Sequence, residues 1–537
     1  MNKNSDKKKP FWKRPIPITV TVLLLIALVM GLFYLVSYGE SKIEERVISE
    51  LNNQFSPDSE WEIGEIDVRL FPMGVMLQDI ELNHTTPFQD QRFEKTTDAL
   101  RNFSAESIEI SGIKLGMLFS EDKYEIGTIH INSPQIDVLY RQGKEIETEG
   151  SDRGDQEFEL GEFEIRNATI NVYKYRADDE PSSEIEGLNL AVMDITYSET
   201  AETLDELVSY YAINLESITH KMQDDNYQLE FGNIEFDSSN NDLEISTTKL
   251  RPLLSLQELS SKMGERLDHF DVVSGPIKIH DLEPNQWTVN NILKAGFVEI
   301  DGLRLYISKD KNFPQGERSQ KKLLNVAFHD LDFAVDMDSV SWTNGLVSYE
   351  ETEEDQERSG RVFFDEIDLQ IVDLQNRDTD SPITINAETM FMEESMLNVD
   401  FSFSLDDNGR QTIQGELAPI DLEIINPVIE PLAFIRISDG RAERLTFEFE
   451  ASDFLATGEM IVIYDNLNIE KLDSETLEQD VGSRVVSFVA NLAVVKSSNS
   501  EDDPRVGEIN FERQKDRSTF SYWWKALRSG LKSSAGM

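Results

Sequence analysis

The residues best suited to chemistry are few and scattered. The chain has six histidines, His84, His130, His220, His269, His280 and His329, and no cysteine. No two histidines stand four apart and none belongs to an HExxH pair, so the helical zinc-hydrolase pattern is missing. Without cysteine there is no disulfide framework, no Cys-ligated zinc or iron–sulfur centre and no thiol catalysis. GxSxG, the Walker loop and GxGxxG are also absent. Asp and Glu total 102 against 50 Lys and Arg, so picking one carboxylate pair for glycosidase chemistry is arbitrary. SLDDNGRQTIQG (404–415) comes nearest to a calcium loop, but Ser and Gly stand where acids are required at its two ends. Asp407-Asn408-Gly409 reads instead as a hairpin turn. These absences predict a protein that is not an enzyme, with no catalytic residue, no metal and no cofactor. The formal charge of −52 argues against nucleic acid as a partner, because phosphate contacts need a basic face.

The elements that carry these residues are mostly strands. Alternation of apolar and polar residues marks 107–115, 128–140, 169–175, 227–237, 325–337, 397–407, 444–451 and 460–472. Alternation makes one face of a sheet apolar and the other wet, and the wet positions here are often Asp or Glu. A loose unit recurs as IGTIHINSPQIDVLY (126–140), GEFEIRNATINVYKY (161–175) and AGFVEIDGLRLYISK (295–309). Each is a strand, a two-residue polar or Gly turn, and a second strand, which fits stacked hairpins in an elongated antiparallel sheet. Gly275-Pro276 and the Asp-Gly pairs at 301–302 and 439–440 read as turns. Residues 143–162, 177–184, 350–360 and 498–505 read as solvated acidic loops. Short helices are expected at 40–54, 201–211, 253–270 and 421–431, some of them covering sheet edges.

Both ends of the chain are basic. Residues 1–14 and 513–537 each carry +5, which leaves −62 for the body between them. Residues 16–38 hold no charge, and as a helix they span about 34 Å, enough for a hydrocarbon core of about 30 Å. The run exceeds the h-region of a cleaved signal peptide and no A-x-A-like site follows it, so it reads as an uncleaved anchor. Basic residues before it and Glu40 and Glu44 after it place residues 1–15 in the cytoplasm and the bulk across the membrane. A bacterial inner membrane with a periplasmic body is the expected setting. At the other end, 517–533 reads as a helix. Phe520, Trp523, Trp524 and Leu527 give it an apolar face, and Lys525, Arg528 and Lys532 a cationic one. That composition suits an anionic membrane interface. It equally suits a terminal helix docked on the end of the sheet.

Three stretches carry a family resemblance. GEIDVRLFPMGVMLQDIELN (64–83) resembles the strand–Pro–strand opening of AsmA-like, TamB-type envelope proteins, after the same order of anchor and short helix. GTIHINSPQIDVLYRQGK (127–144) resembles their next unit. The segment 425–472, with its Asn-Pro helix end, Ser-Asp-Gly turn, Thr-Gly and Tyr-Asp-Asn-Leu strand, is similar to their C-terminal signature. The resemblance covers about a third of the chain and makes 39–510 one β-rich domain with its signature at 420–472. It implies a sheet curled into a groove with an apolar floor, a few covering helices and movement of phospholipid between two membranes.

On that reading the floor is built from Leu331, Phe333, Val335, Val399, Phe401, Phe403, Leu445, Phe447 and Phe449. From alternation alone the same residues serve equally as a closed core. The expected partners are membrane phospholipid and an outer-membrane or other envelope protein. The competing expectation is an anchored structural or assembly adaptor with a closed β core.

Overall fold

The computed structural model describes residues 59–84, 98–114, 123–140, 157–174, 180–196, 201, 203–222, 225–316, 320–378, 380–406, 408–473 and 495–536. Among the described residues the structure is mainly β, with 62% strand against 13% helix. The expected anchor at 16–38, the helix at 40–54 and most of the first acidic loop lie outside the described residues. None of the described helices is long and apolar enough to cross a membrane. These helices are α1 (Leu256–Met263), α2 (Pro284–Asn290), α3 (Leu324–His329), α4 (Asn426–Ala433) and α5 (Thr519–Ser534). The chain divides into two compact units. The first comprises Met1–Met222, Leu229–Ser246 and Glu283–Asn291; the second comprises Gln223–Gln228, Thr247–Leu282 and Ile292–Met537.

The first unit holds β1 (Ser59–Leu70), β2 (Met73–His84), β3 (Asp98–Ser111), β4 (Lys123–Asn132), β5 (Gln135–Tyr140), β6 (Glu157–Lys174), β7 (Ser183–Thr196) and β8 (Tyr210–Lys221). The division falls within β9 (Tyr227–Asp237) and β10 (Asp242–Pro252). β1 to β3 pair antiparallel in chain order. β3 then pairs antiparallel with both β4 and β5, along different parts of its length. β4 and β5 therefore run end to end in one row, and IGTIHINSPQIDVLY is not a hairpin. Ser133 at the break has φ 48°, a left-handed residue that offsets the strand without reversing it. β6 lies parallel to both pieces of that row. A parallel neighbour needs a connection of about a dozen residues or more, and residues 141–156 supply it. Antiparallel pairing resumes from β6 to β8.

The second unit repeats the device. Its strands are β11 (Asp268–Ser274), β12 (Ile277–Ile279), β13 (Ile292–Asp301), β14 (Arg304–Asp310), β15 (Ala334–Thr352), β16 (Ser359–Gln375), β17 (Ile383–Phe391), β18 (Ser395–Phe403), β19 (Gln411–Leu417), β20 (Ile420–Asp421), β21 (Ile435–Ala451), β22 (Leu455–Lys471) and β23 (Val506–Glu512). β13 and β14 form a second broken row, with Gly302 at φ 66°, and β15 runs parallel to both. The expected all-antiparallel sheet is thus interrupted once in each unit. From β15 onward the ladders are antiparallel, running β15–β16–β17–β18–β19–β21–β22–β23.

Each interruption shifts the phase of the alternation. In the β4–β5 row the core side carries Ile129 and Ile131, then Ile136 and Val138. β6 does the same within one strand, from Phe163 and Ile165 to Ile170 and Val172, across Asn167 at φ 52° and a register shift. The Asn167 amide donates to the Asn189 side chain of β7 at 3.0 Å. In β15, Asn344 at φ 53° occupies the matching place, and its amide donates to Asp368 of β16 at 3.0 Å. A left-handed Asn or Gly thus keeps a long strand apolar on one face on both sides of a bend.

Other expectations change in detail. Residues 325–337 are not one strand: α3 occupies Leu324–His329 and β15 begins only at Ala334. The 201–211 helix is a single 3-10 turn at Leu204–Glu206, followed by β8. The 253–270 helix shrinks to α1, which Gly264 ends in a left-handed conformation. Asp439-Gly440 lies inside β21 as an irregularity, not at a chain reversal. The hairpin between β18 and β19 is as expected: Ser404 N–H donates to Arg410 at 2.8 Å, and Gly409 has φ 57°.

Candidate functional site

Six of the nine expected floor residues come together, and they lie beneath a helix of their own chain. Val399, Phe401 and Phe403 of β18 stand opposite Gly415, Ile413 and Gln411 of β19. Those in turn face Phe447, Phe449 and Ala451 of β21, and Leu445 follows in the same ladder. One row can be followed across ten strands: Ile279, Val298, Val340, Ile371, Ile385, Phe401, Ile413, Phe449, Gly458, Ile509. Over its last part lies α5, whose Tyr522 and Ala526 are buried against Phe447, Phe449, Met460 and Ile509. Phe449 is 1% exposed and Ile509 0%.

The cover is specific in shape and in polarity. A Cβ on Gly507 would come within 2.3 Å of the Gly530 carbonyl oxygen, so α5 reaches β23 only because both residues are glycine. Trp523 sits 5.5 Å from Phe401 and 5.9 Å from Phe403, ring centre to ring centre. Its Nε1 donates to Gln411 Oε1 at 2.8 Å, and Gln411 Nε2 donates to Asn325 Oδ1 of α3 at 2.7 Å. This buried chain of partners ties α5, β19 and α3 together. Phe403, Phe447 and Phe449 are therefore buried in a sheet–helix core, and Val399, Phe401 and Leu445, half-buried, pack against it.

The other three expected floor residues differ. Val335 is buried on β15, opposite Leu293 of β13. Leu331 and Phe333 belong to the crossover before β15, not to a strand. Their carbonyls accept from Arg377 at 2.7 Å and Asn376 at 3.0 Å, respectively.

The first unit contains a second apolar surface, outside the nine expected floor residues. Three rows cross β1, β2, β3, the β4–β5 row, β6, β7 and β8. One runs Val68, Val75, Ile110, Ile129, Phe163, Val192, Tyr211. The next runs Ile66, Leu77, Ile108, Ile131, Ile165, Leu190, Ile213. The third runs Trp61, Leu82, Phe103, Ile136, Ile170, Ile185, Ile218.

From β2 to β4 these rows are buried: Leu77 is 1% exposed, Ile110 0% and Ile131 3%. From β6 onward most of their residues are only half-buried, among them Ile165, Ile170, Ile185, Leu190, Val192, Ile213 and Ile218. The signal in the sequence is the phase-shifted alternation across Asn167, and the structure adds Gly187 at φ 63° in β7.

The reverse face is polar. His130 of β4 stands opposite Glu164 of β6, with its Nε2 3.7 Å from Glu164 and 3.6 Å from Glu162. Among the described residues this is the group whose ligand atoms come close enough to hold a metal ion. Arg166 already engages Glu164, and its hydrogen bond is the main reason the Glu164 carboxyl lies below the ordinary range.

The expected membrane face of the terminal helix is split. Ser518 caps α5, accepting from the Ser521 amide at 3.3 Å. Trp523 and Leu527 pack inward with the sheet core, whereas Phe520 and Trp524 point out and are 57% and 52% exposed. Arg528 is exposed beside them. Lys525 donates to Gln514 Oε1 at 2.5 Å, with its ammonium 5.8 Å from the Phe511 ring centre. No protein-family model matches the chain, and no curated protein matches it.

Proposed function

We propose that this chain binds the acyl chains of phospholipid on the apolar rows of β6, β7 and β8. On this reading it supports phospholipid transport and outer-membrane upkeep from an inner-membrane anchor at 16–38, with its body in the periplasm and its sheet curled into an elongated groove. The observation that carries the reading is the fall in burial along three unbroken apolar rows, from β4 to β6 and beyond. An apolar sheet face must be covered by another layer or by a guest. An acyl chain gains about 0.8 kcal/mol for each CH₂ it buries, and a row of Ile, Leu and Val offers it no polar partner to satisfy. No metal, cofactor or catalytic group enters this function.

A photo-crosslinking residue in place of Leu190, in the full chain in cells, tests the proposal. The expected product is a phospholipid adduct, while the same residue at Ile413 yields none. Absence of lipid at Leu190, with the chain folded, overturns acyl-chain binding there. The closed core over Phe401 and Phe449 favours a second reading, an anchored structural or assembly adaptor for envelope proteins. On that reading Leu190 crosslinks to a polypeptide instead.

A further inference from the structure

We propose that the outward face of α5 is a docking surface for an anionic phospholipid bilayer. One side of this helix is fixed: Tyr522, Ala526 and Gly530 are sealed against β22 and β23, with Tyr522 1% and Ala526 0% exposed. The opposite side presents two stripes. At helical spacing, Phe520 and Trp524 fall on one of them. Arg528 and Lys532 fall on the adjoining one, beside Lys525, whose ammonium donates to Gln514. A terminal helix needed only as a cover has no use for two large aromatics more than half exposed on its free side. Aromatic rings beside cations are what the headgroup level of a bilayer accommodates. A helix of 16 residues is about 24 Å long and can lie flat there.

Charge selects the partner. Arg513 and Lys515 are spent within the protein on Asp453, so they are not part of the surface. Two of the cations on α5, Lys525 and Lys532, are crowded by neighbouring cations, with Asp516 a partial counterweight at Lys525. The Lys525 amine is pushed down, first by burial and then by the Arg517 and Arg528 guanidinium groups, and that of Lys532 by burial and Arg528. This is a local excess of positive charge on a chain of net charge −52, and an anionic surface would relieve it. The inference does not rest on acyl-chain binding by β6–β8 and survives the failure of that reading.

The test immobilises the full chain on beads through its N-terminus. Fluorescent vesicles are offered, made of phosphatidylcholine alone or with a quarter phosphatidylglycerol. Every chain compared, the reference included, carries Gln in place of Lys3, Lys7, Lys8, Lys9, Lys13 and Arg14, whose charge would itself favour anionic vesicles, and the apolar stretch 16–38 treats both compositions alike and cancels in their ratio. The reference should capture anionic vesicles in excess, and added salt should reduce that excess. Phe520→Ser with Trp524→Ser should abolish it. Lys525→Gln, Arg528→Gln and Lys532→Gln should each lower it about fivefold. Unchanged thermal melting certifies the fold, since Trp524 lies outside the core and Phe520 touches it edge-on, 5.4 Å from the Trp523 ring centre. Equal capture of the two compositions overturns the proposal. So does reference-level capture by the Phe520/Trp524 variant, or displacement of the vesicles by an acidic peptide at equal charge.

Discussion

The two units solve one problem in opposite ways. Each carries apolar rows that cross many strands, and each keeps them on one face by shifting phase at a left-handed residue. In the second unit the end of the floor is closed by α5, with α3 joined to it through Gln411 and Asn325. In the first unit, burial falls from β6 onward: Tyr211 and Leu215 of β8 are buried, whereas Leu190, Ile185 and Ile213 are half-buried. A one-sided sheet therefore does not by itself mean either a core or a binding surface. The deciding feature is what covers it, and among the described residues α5 is such a cover for the second unit.

That contrast is sharpest in large-to-small substitutions. Phe449→Ala should cost about 3–5 kcal/mol, because a fully buried aromatic leaves a cavity. Leu190→Ala should cost only about 1–2 kcal/mol, roughly half the value of a fully buried side chain. Urea unfolding of both variants measures the difference, and equal losses would mean that both floors are closed. Phe401→Asp should likewise destroy the fold of the second unit, since its ring lies against Trp523 and not against solvent. Next in size comes Gly530→Val. Its side chain would meet Ile509 and Met460, so α5 should lift at a cost of about 1–3 kcal/mol. Faster proteolysis between β23 and α5 would report the loss of the cover.

Much of this contrast could not be read from spacing. The alternation at 227–237 coincides with β9, and 421–431 and 517–533 come close to the observed helices. Alternation reports which residues share a face, but it carries no information about what lies on that face. Phe401 and Leu190 sit in equally good patterns, and only the distant α5 separates them. The end-to-end rows escape spacing for a related reason. Asn-Ser-Pro and Asp-Gly carry the composition of a reversal, and a single left-handed residue within a strand uses the same residues. The short α3 escapes it as well, because its Leu, Val and Phe also fit period two over six residues.

The bends themselves are the next comparison. Asn167→Val places a β-branched residue at φ 52° and should cost about 1–2 kcal/mol, whereas Asn167→Gly should be nearly neutral. Asn344→Val should behave alike in the second unit, since its amide is held in the same way by Asp368. Comparable losses at the two positions would support one shared device. A loss at one position only would make the resemblance of the two units superficial.

The smallest effect lies on the wet face. Arg166 holds the Glu164 carboxyl below its ordinary value, so this pair contributes stability only while the carboxylate stays ionised. The contribution is complete above the unfolded carboxylate pKa of about 4.3, and it disappears as pH falls through the lowered folded value. For a pair this near the surface it should amount to about 0–1 kcal/mol. Arg166→Ala should therefore lower the urea midpoint slightly near neutrality, and the gap from wild type should close in acid. A gap that persists in acid would assign the loss to the packing of the Arg166 stem. Either result stays well below the cost of Phe449→Ala, because the face that water already solvates holds little of the folding energy and the covered floor holds most of it.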